Sequence, residues 1–129
     1  MLVYCQEFFN QFVAGSGQTA AEIQYSPDST NRLLASADKL AVQYRITQAS
    51  GTVTPNLKID LEHSNDGTTW YLKATLFTGQ PNLGGVTTGL VYDVGTNPTG
   101  CLARLKVYFS TGTTPQAQVQ ITVAGRNDG

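Results

Sequence analysis

The sequence predicts an all-β protein: a single antiparallel β-sandwich, jelly-roll or immunoglobulin-like, of about seven or eight strands. Three observations carry this. From Lys39 onward, apolar residues recur at every second position. The alternating runs are short and separated by Gly, Pro, Thr and Asn. No long stretch shows the 3.6-residue period of an amphipathic helix.

Taken in order, residues 1–20 stand apart as an N-terminal arm or edge segment, and residues 21–129 form the sandwich domain. In "FFNQFVAGSGQTA", Phe8, Phe9 and Phe12 sit beside a Gly/Ser/Thr run without strict alternation. These aromatics either close one end of the core or form an arm that gains burial only by docking on a neighbour. "AAEIQYS" is a short strand candidate, and "DSTNRLLASADK" reads as either a helical turn or a loop. In "LAVQYRIT", Leu40, Val42, Tyr44 and Ile46 share one face, and in "NLKIDLEH", Leu57, Ile59 and Leu61 do. "WYLKATLF" places Trp70, Leu72, Ala74 and Leu76 inward by the same rule. "GLVYDVG", "LARLKVYF" with Ala103, Leu105, Val107 and Phe109 inward, and "QAQVQITVAG" with Ala117, Val119, Ile121 and Val123 inward complete the set. Strand order does not follow from the pattern.

A weak internal repeat joins residues 40–67 to residues 102–129: strand, Ser/Thr-Gly-Thr, Thr-Pro, strand, Asn-Asp-Gly. The Gly and Thr-Pro between strands are turn chemistry, so Gly51 with Pro55 and Gly112 with Pro115 predict two similar hairpins with short connections.

The 129 residues and 13.8 kDa fit one domain. With Lys+Arg 8 against Asp+Glu 9 there is no basic field for nucleic acid. Charged residues are only 13% of the chain, about half the usual ~25%, a composition suited to packing against copies or partners. No segment approaches the ~20 apolar residues of a membrane span. The N-terminus lacks the positive and apolar regions of a secretory signal, its first basic residue being Arg32, so a soluble chain is expected. Cys5 and Cys101 are either small buried hydrophobes or free thiols; a bond between them would require an oxidising setting.

The densest cluster of functional residue types is "LEHSNDGTTW", which holds the single histidine and the single tryptophan. No nucleophile–base pair, HExxH or GxSxG is present, and the carboxylates are scattered, so an enzyme is not expected and no catalytic residue is assigned. "NDG" lacks the ligand run of a calcium loop, and His63 alone cannot hold zinc, so neither a metal nor a cofactor is expected. Asn65-Asp66-Gly67 reads as a tight reversal, repeated in the closing "RNDG". Alternation makes Trp70 a core residue. The rival reading is a carbohydrate-binding β-sandwich in which Trp70, Tyr71 and Phe77 stack on sugar rings.

The cassette "YRITQASGTVTPNLKIDLEHSNDGTTW", with the late pair "LARLKVYFSTGTTPQAQVQITV", resembles one found in small β-sandwich proteins of tailed-bacteriophage heads. The resemblance covers roughly Leu40 to Phe77 plus the C-terminal strand pair, about half the chain, and rests largely on turn residues. It implies a head decoration or cement protein. Such a protein has no catalytic activity, binds the capsid lattice as a homo-oligomer, often a trimer, and belongs to a virion assembled in the host cytoplasm. No family contact residue maps onto this chain. Phe8, Phe9 and Phe12, with Pro81, Asn82 and Leu83 of the loop "TGQPNLGGVTTG", are the expected subunit or capsid contacts. A small coat protein is the third reading; its inward face would have to meet nucleic acid, and the eight basic residues are not clustered.

Overall fold

Two long strands organise the molecule. The computed structural model describes residues 1–95 and 101–127, and within them the strands are β1 (Leu2–Ala14), β2 (Gln24–Tyr25), β3 (Lys39–Ser64), β4 (Tyr71–Gly79), β5 (Val86–Gly95) and β6 (Leu102–Arg126). Every pairing is antiparallel. The order is β1-β6-β3-β4, with β2 added on β6 and β5 on β3. β3 and β6 run alongside each other from Lys39↔Arg126 to Ser64↔Leu102. Their inner faces, Leu40, Val42, Ile46, Leu57, Ile59 and Leu61 against Leu105, Val107, Phe109, Val119, Ile121 and Val123, form the core as alternation predicts.

Both long strands bend at the same level, and the sheet curls onto itself. One layer comprises β1, residues 116–126 of β6, residues 39–50 of β3, and β5; the other comprises β2, residues 102–111 of β6, residues 56–64 of β3, and β4. Contact between inner faces is direct: the Tyr44 ring of the first layer lies 5.1 Å from the Phe77 ring of the second. Counting each long strand as two arms, the expected seven or eight strands correspond to the segments observed, in an all-β sandwich.

The repeated Gly and Thr-Pro segments do not form hairpins. They are the corners at which β3 and β6 cross from one layer to the other, a known way of joining sandwich sheets. Register shifts separate Thr47, Ser50, Thr52 and Asn56 in β3, and positive φ appears at Gln48, Val53, Thr54 and Thr114 as well as at Gly51 (+136°) and Gly112 (+124°). The corners interlock reciprocally. A Cβ on Gly51 would sit 2.9 Å from the Pro115 Cα, and one on Gly112 would sit 3.0 Å from the Pro55 Cα. The sequence repeat is thus a repeat of bends rather than of reversals.

The first 14 residues belong to the sandwich. β1 is an outer strand paired along β6 from Leu2↔Arg126 to Ala14↔Gln116, with a register shift between Glu7 and Phe9. That bulge accounts for the missing alternation: it turns both Phe8 and Phe9 inward, where they are buried, and leaves Phe12 exposed. The Tyr4 hydroxyl donates to the Leu34 carbonyl at 2.9 Å, and burial pushes that phenol well above its ordinary range. The expected strand "AAEIQYS" shrinks to β2. Residues Ala20–Glu22 are a 3-10 turn, and the ambiguous stretch that follows is helical, with a 3-10 turn at Asp28–Thr30 and α1 at Asn31–Ala35. α1 sets the fully buried Leu34 into the core.

β4 departs from the expected alternation. Ala74 and Leu76 turn inward as expected, but register shifts fall between Ile59 and Asp60 and between Leu61 and Glu62, so Phe77 also packs against the core while Tyr71, paired with His63, stays exposed. Leu72 pairs with Glu62 and faces outward. The connection expected over "TGQPNLGGVTTG" is confined to residues 80–85, because its ends belong to β4 and β5. It is tied down by Gly84 N–H to Ala49 O at 2.9 Å and by Asn82 N–H to Thr87 Oγ1 at 2.7 Å. Cys5 and Cys101 are free and exposed, the free-thiol alternative rather than the buried one.

Candidate functional site

The outer face of the second layer carries a cluster of five charged side chains, Lys58, Asp60, Glu62, Arg104 and Lys106. Register places Lys58 beside Tyr108, Asp60 beside Lys106 and Glu62 beside Arg104 across β3 and β6, while Tyr25 of β2 pairs with Lys106. Opposite charges directly across a strand pair attract. The Arg104 Nε donates to Glu62 Oε1 at 2.8 Å, and Lys106 Nζ lies 4.0 Å from Glu62 Oε2. Asp60 is buried, and its Oδ1 has no hydrogen-bond partner. Burial holds its carboxyl above the ordinary 3.8, against the downward pull of Lys58, Lys106 and a Thr75 hydrogen bond.

Arg104 is also stacked. Its guanidinium carbon lies 3.9 Å from the centroid of the Tyr25 ring and 4.1 Å from that of Trp70, so one cation sits between two aromatic faces. Trp70 is therefore not the core tryptophan that alternation predicts. It is half-buried on the outer side, and Arg104 occupies one of its two faces.

The turn before Trp70 holds it in place. The Asp66 carboxylate accepts from Thr68 N–H at 2.8 Å, Thr69 N–H at 2.9 Å and the Ser64 hydroxyl at 3.0 Å, which together keep the carboxyl below its ordinary value. Gly67 takes φ +76°, and the Trp70 Nε1–H donates to its carbonyl at 3.3 Å. The reversal is wider than a two-residue turn, since residues 65–70 separate β3 from β4. Of the second occurrence, Asp128 and Gly129 lie outside the described residues.

Beside this stack lies a groove of about 550 Å³. Gly67, Trp70, Leu102 and Arg104 form one side, and Asp28, Ser29, Asn31 and Arg32, from the 3-10 turn and α1, form the other. Asn31 is buried, and its Oδ1 has no partner. Among the described residues the lining offers an indole, two guanidinium groups, a carboxylate and an amide, but neither a histidine nor a cysteine. This set suits noncovalent recognition of a polar ligand with a flat apolar side.

The residues expected from sequence scatter. Trp70 lines the groove, but Tyr71 and Phe77 belong to the opposite face of β4, with Tyr71 near His63 (ring centroids 6.3 Å apart) and Phe77 against Tyr44. The three form no single platform. Among the expected contact residues, Phe8, Phe9 and Pro81 are buried, while Phe12, Asn82 and Leu83 are exposed. Sequence reasoning missed Tyr25, Asp28, Asn31, Arg32 and Arg104. The outward position of Arg104 in "LARLKVYF" was visible, but its partners depend on the pairing of β6 with β3 and β2.

No protein-family model matches the sequence, and no curated protein matches it. Among solved structures, the chain is similar to the CBM22-1–GH10 modules of Clostridium thermocellum endo-1,4-β-D-xylanase 10B, complexed with xylohexaose. The TM-score is 0.57 at 10% sequence identity, over 97% of this chain and 26% of that one. At that identity the likeness concerns the fold.

Proposed function

We propose that this is a non-enzymatic binding protein whose groove beside Arg104 and Trp70 takes a carbohydrate. The observation that carries the reading is the groove itself: an indole held by its own turn and by Arg104, facing donors and acceptors on α1 and the turn before it. Sugars present hydroxyls at their edges and C–H groups on their faces, and this lining complements both. The likeness of fold to the CBM22-1–GH10 modules of a xylanase, solved with xylohexaose, supports the reading. A glycan array probed with the intact protein and with Trp70→Ala is the test. The proposal expects signal from the intact chain and its loss in a variant that still folds; absence of signal from the intact chain overturns it.

A second reading, a decoration subunit of a phage head, is favoured by the outer face of the first layer. There the Gln/Thr row of β6 and Gln43, Arg45 and Thr47 of β3, with Glu7 of β1, lie among exposed Leu2, Phe12, Leu90 and Tyr92. A broad, charge-poor face of this kind suits protein contact. In this reading Phe12, with Asn82 and Leu83, would touch the lattice, and the subunits would associate, a trimer being the favoured state. Binding to undecorated capsids and a discrete oligomer by light scattering are expected; a monomer that ignores capsids overturns it.

A further inference from the structure

We infer that the groove selects an uncharged glycan over an acidic one, and that Asn31 reads a ligand hydroxyl there. The inference rests on the carbohydrate reading above and deepens it. Charge in the lining is balanced. The Arg104 guanidinium is neutralised by Glu62 at 2.8 Å and capped by the Tyr25 and Trp70 rings, so it is not available as an anion clamp. Among the described residues of the lining, the remaining charges are Arg32 and Asp28, one of each sign, on the same side of the groove. A uronate or sulfated sugar would bring its anion toward Asp28 with only one uncommitted cation to meet it. A neutral ring brings no such repulsion, and its hydroxyls can both donate to Asp28 and accept from Arg32.

Asn31 adds a directional requirement. It is 6% exposed, lines the groove, and has an Oδ1 with no hydrogen-bond partner. A buried carbonyl oxygen without a donor is costly, and a donor supplied by a ligand removes that cost on binding. A hydroxyl can donate; an ionised carboxylate or sulfate cannot. The same atom therefore favours a ligand that presents a hydroxyl at this position over one that presents a carboxylate or sulfate there.

The test is affinity electrophoresis of the intact chain through gels containing neutral polysaccharides (xylan, glucomannan, β-glucan) or acidic ones (polygalacturonate, alginate), with three variants. Retardation by at least one neutral polymer, about tenfold stronger than by any acidic polymer, is expected. Asn31→Ala should weaken neutral binding about fivefold, the loss of one hydrogen bond. Because Asn31 is buried, the exposed Asp28→Asn and Arg32→Gln serve as variants that should fold. Asp28→Asn should shift preference toward the acidic polymers, and Arg32→Gln further from them. Stronger retardation by acidic polymers, or unchanged preference in Asp28→Asn, overturns the inference and leaves the carbohydrate reading standing. Retardation by none of the polymers overturns both.

Discussion

Replacing Arg104 with Met keeps a long side chain but removes the guanidinium from between Tyr25 and Trp70 and leaves Glu62 without its close partner. Two cation–π contacts at 3.9 and 4.1 Å contribute about 0.5–1 kcal/mol each. Breaking a fully buried ion pair costs ~3–5 kcal/mol. Here the side chains are 18% and 11% exposed and Lys106 stays 4.0 Å from Glu62, so about 1–2 kcal/mol is the reasonable share. The total is about 3 kcal/mol, a fall in Tm of roughly 10 °C for a domain of this size. Urea unfolding measures the loss, and because Trp70 is the single tryptophan, its emission reports on the same stack. Glu62→Gln combined with Arg104→Met removes the stranded charge, so the double variant should lose at least ~1 kcal/mol less than the sum of the singles. A loss below ~0.5 kcal/mol in Arg104→Met with unchanged emission, or strict additivity, would refute the stacked ion pair as an organising element.

Three other substitutions probe the scaffold. A Cβ on Gly125 would overlap the Tyr4 ring and come 2.8 Å from the Ala37 Cβ, so Gly125→Ala should cost about 1–3 kcal/mol by overpacking, read in urea. Gly112→Ala meets both φ +124° and the Pro55 contact and should destabilise by more than ~1 kcal/mol in the same assay; a neutral result would remove the corner's need for glycine. Asp60 holds its proton in the folded state at pH values where the unfolded chain has lost it. Its stabilising contribution is therefore full below 3.8 and is lost as pH rises through the raised folded value. Asp60→Asn should gain Tm relative to the parent at neutral pH and lose that advantage near pH 3; a loss at neutral pH would contradict this sign.

Much of the fold was legible because period-two patterning is a direct consequence of pleat and burial. Leu40 to Ile46, Leu57 to Leu61 and the apolar positions of β6 face the core as read. Alternation failed where the backbone inserts a residue: at the bulge that buries both Phe8 and Phe9, and at the two register shifts that turn Leu72 outward in β4. A bulge has little sequence signature of its own. Gly51, Pro55, Gly112 and Pro115 have the composition of turns, but only the partner strand decides whether such a segment reverses or bends. The groove was the least legible part. Trp70 drew attention by itself, whereas Arg104, Tyr25 and Asn31 meet it only through the pairing of β6 with β2 and β3 and through the packing of α1.

The proposed ligand site of this protein is the Trp70 groove. The most direct measurement is the change in backbone amide shifts of the isotopically labelled chain on adding a neutral oligosaccharide. Binding in the groove predicts changes concentrated at residues 28–32, 67–70 and 102–104, with little along β1 and β5. Shifts confined to the exposed face of β1 and β5, or no shifts with any oligosaccharide, would contradict it.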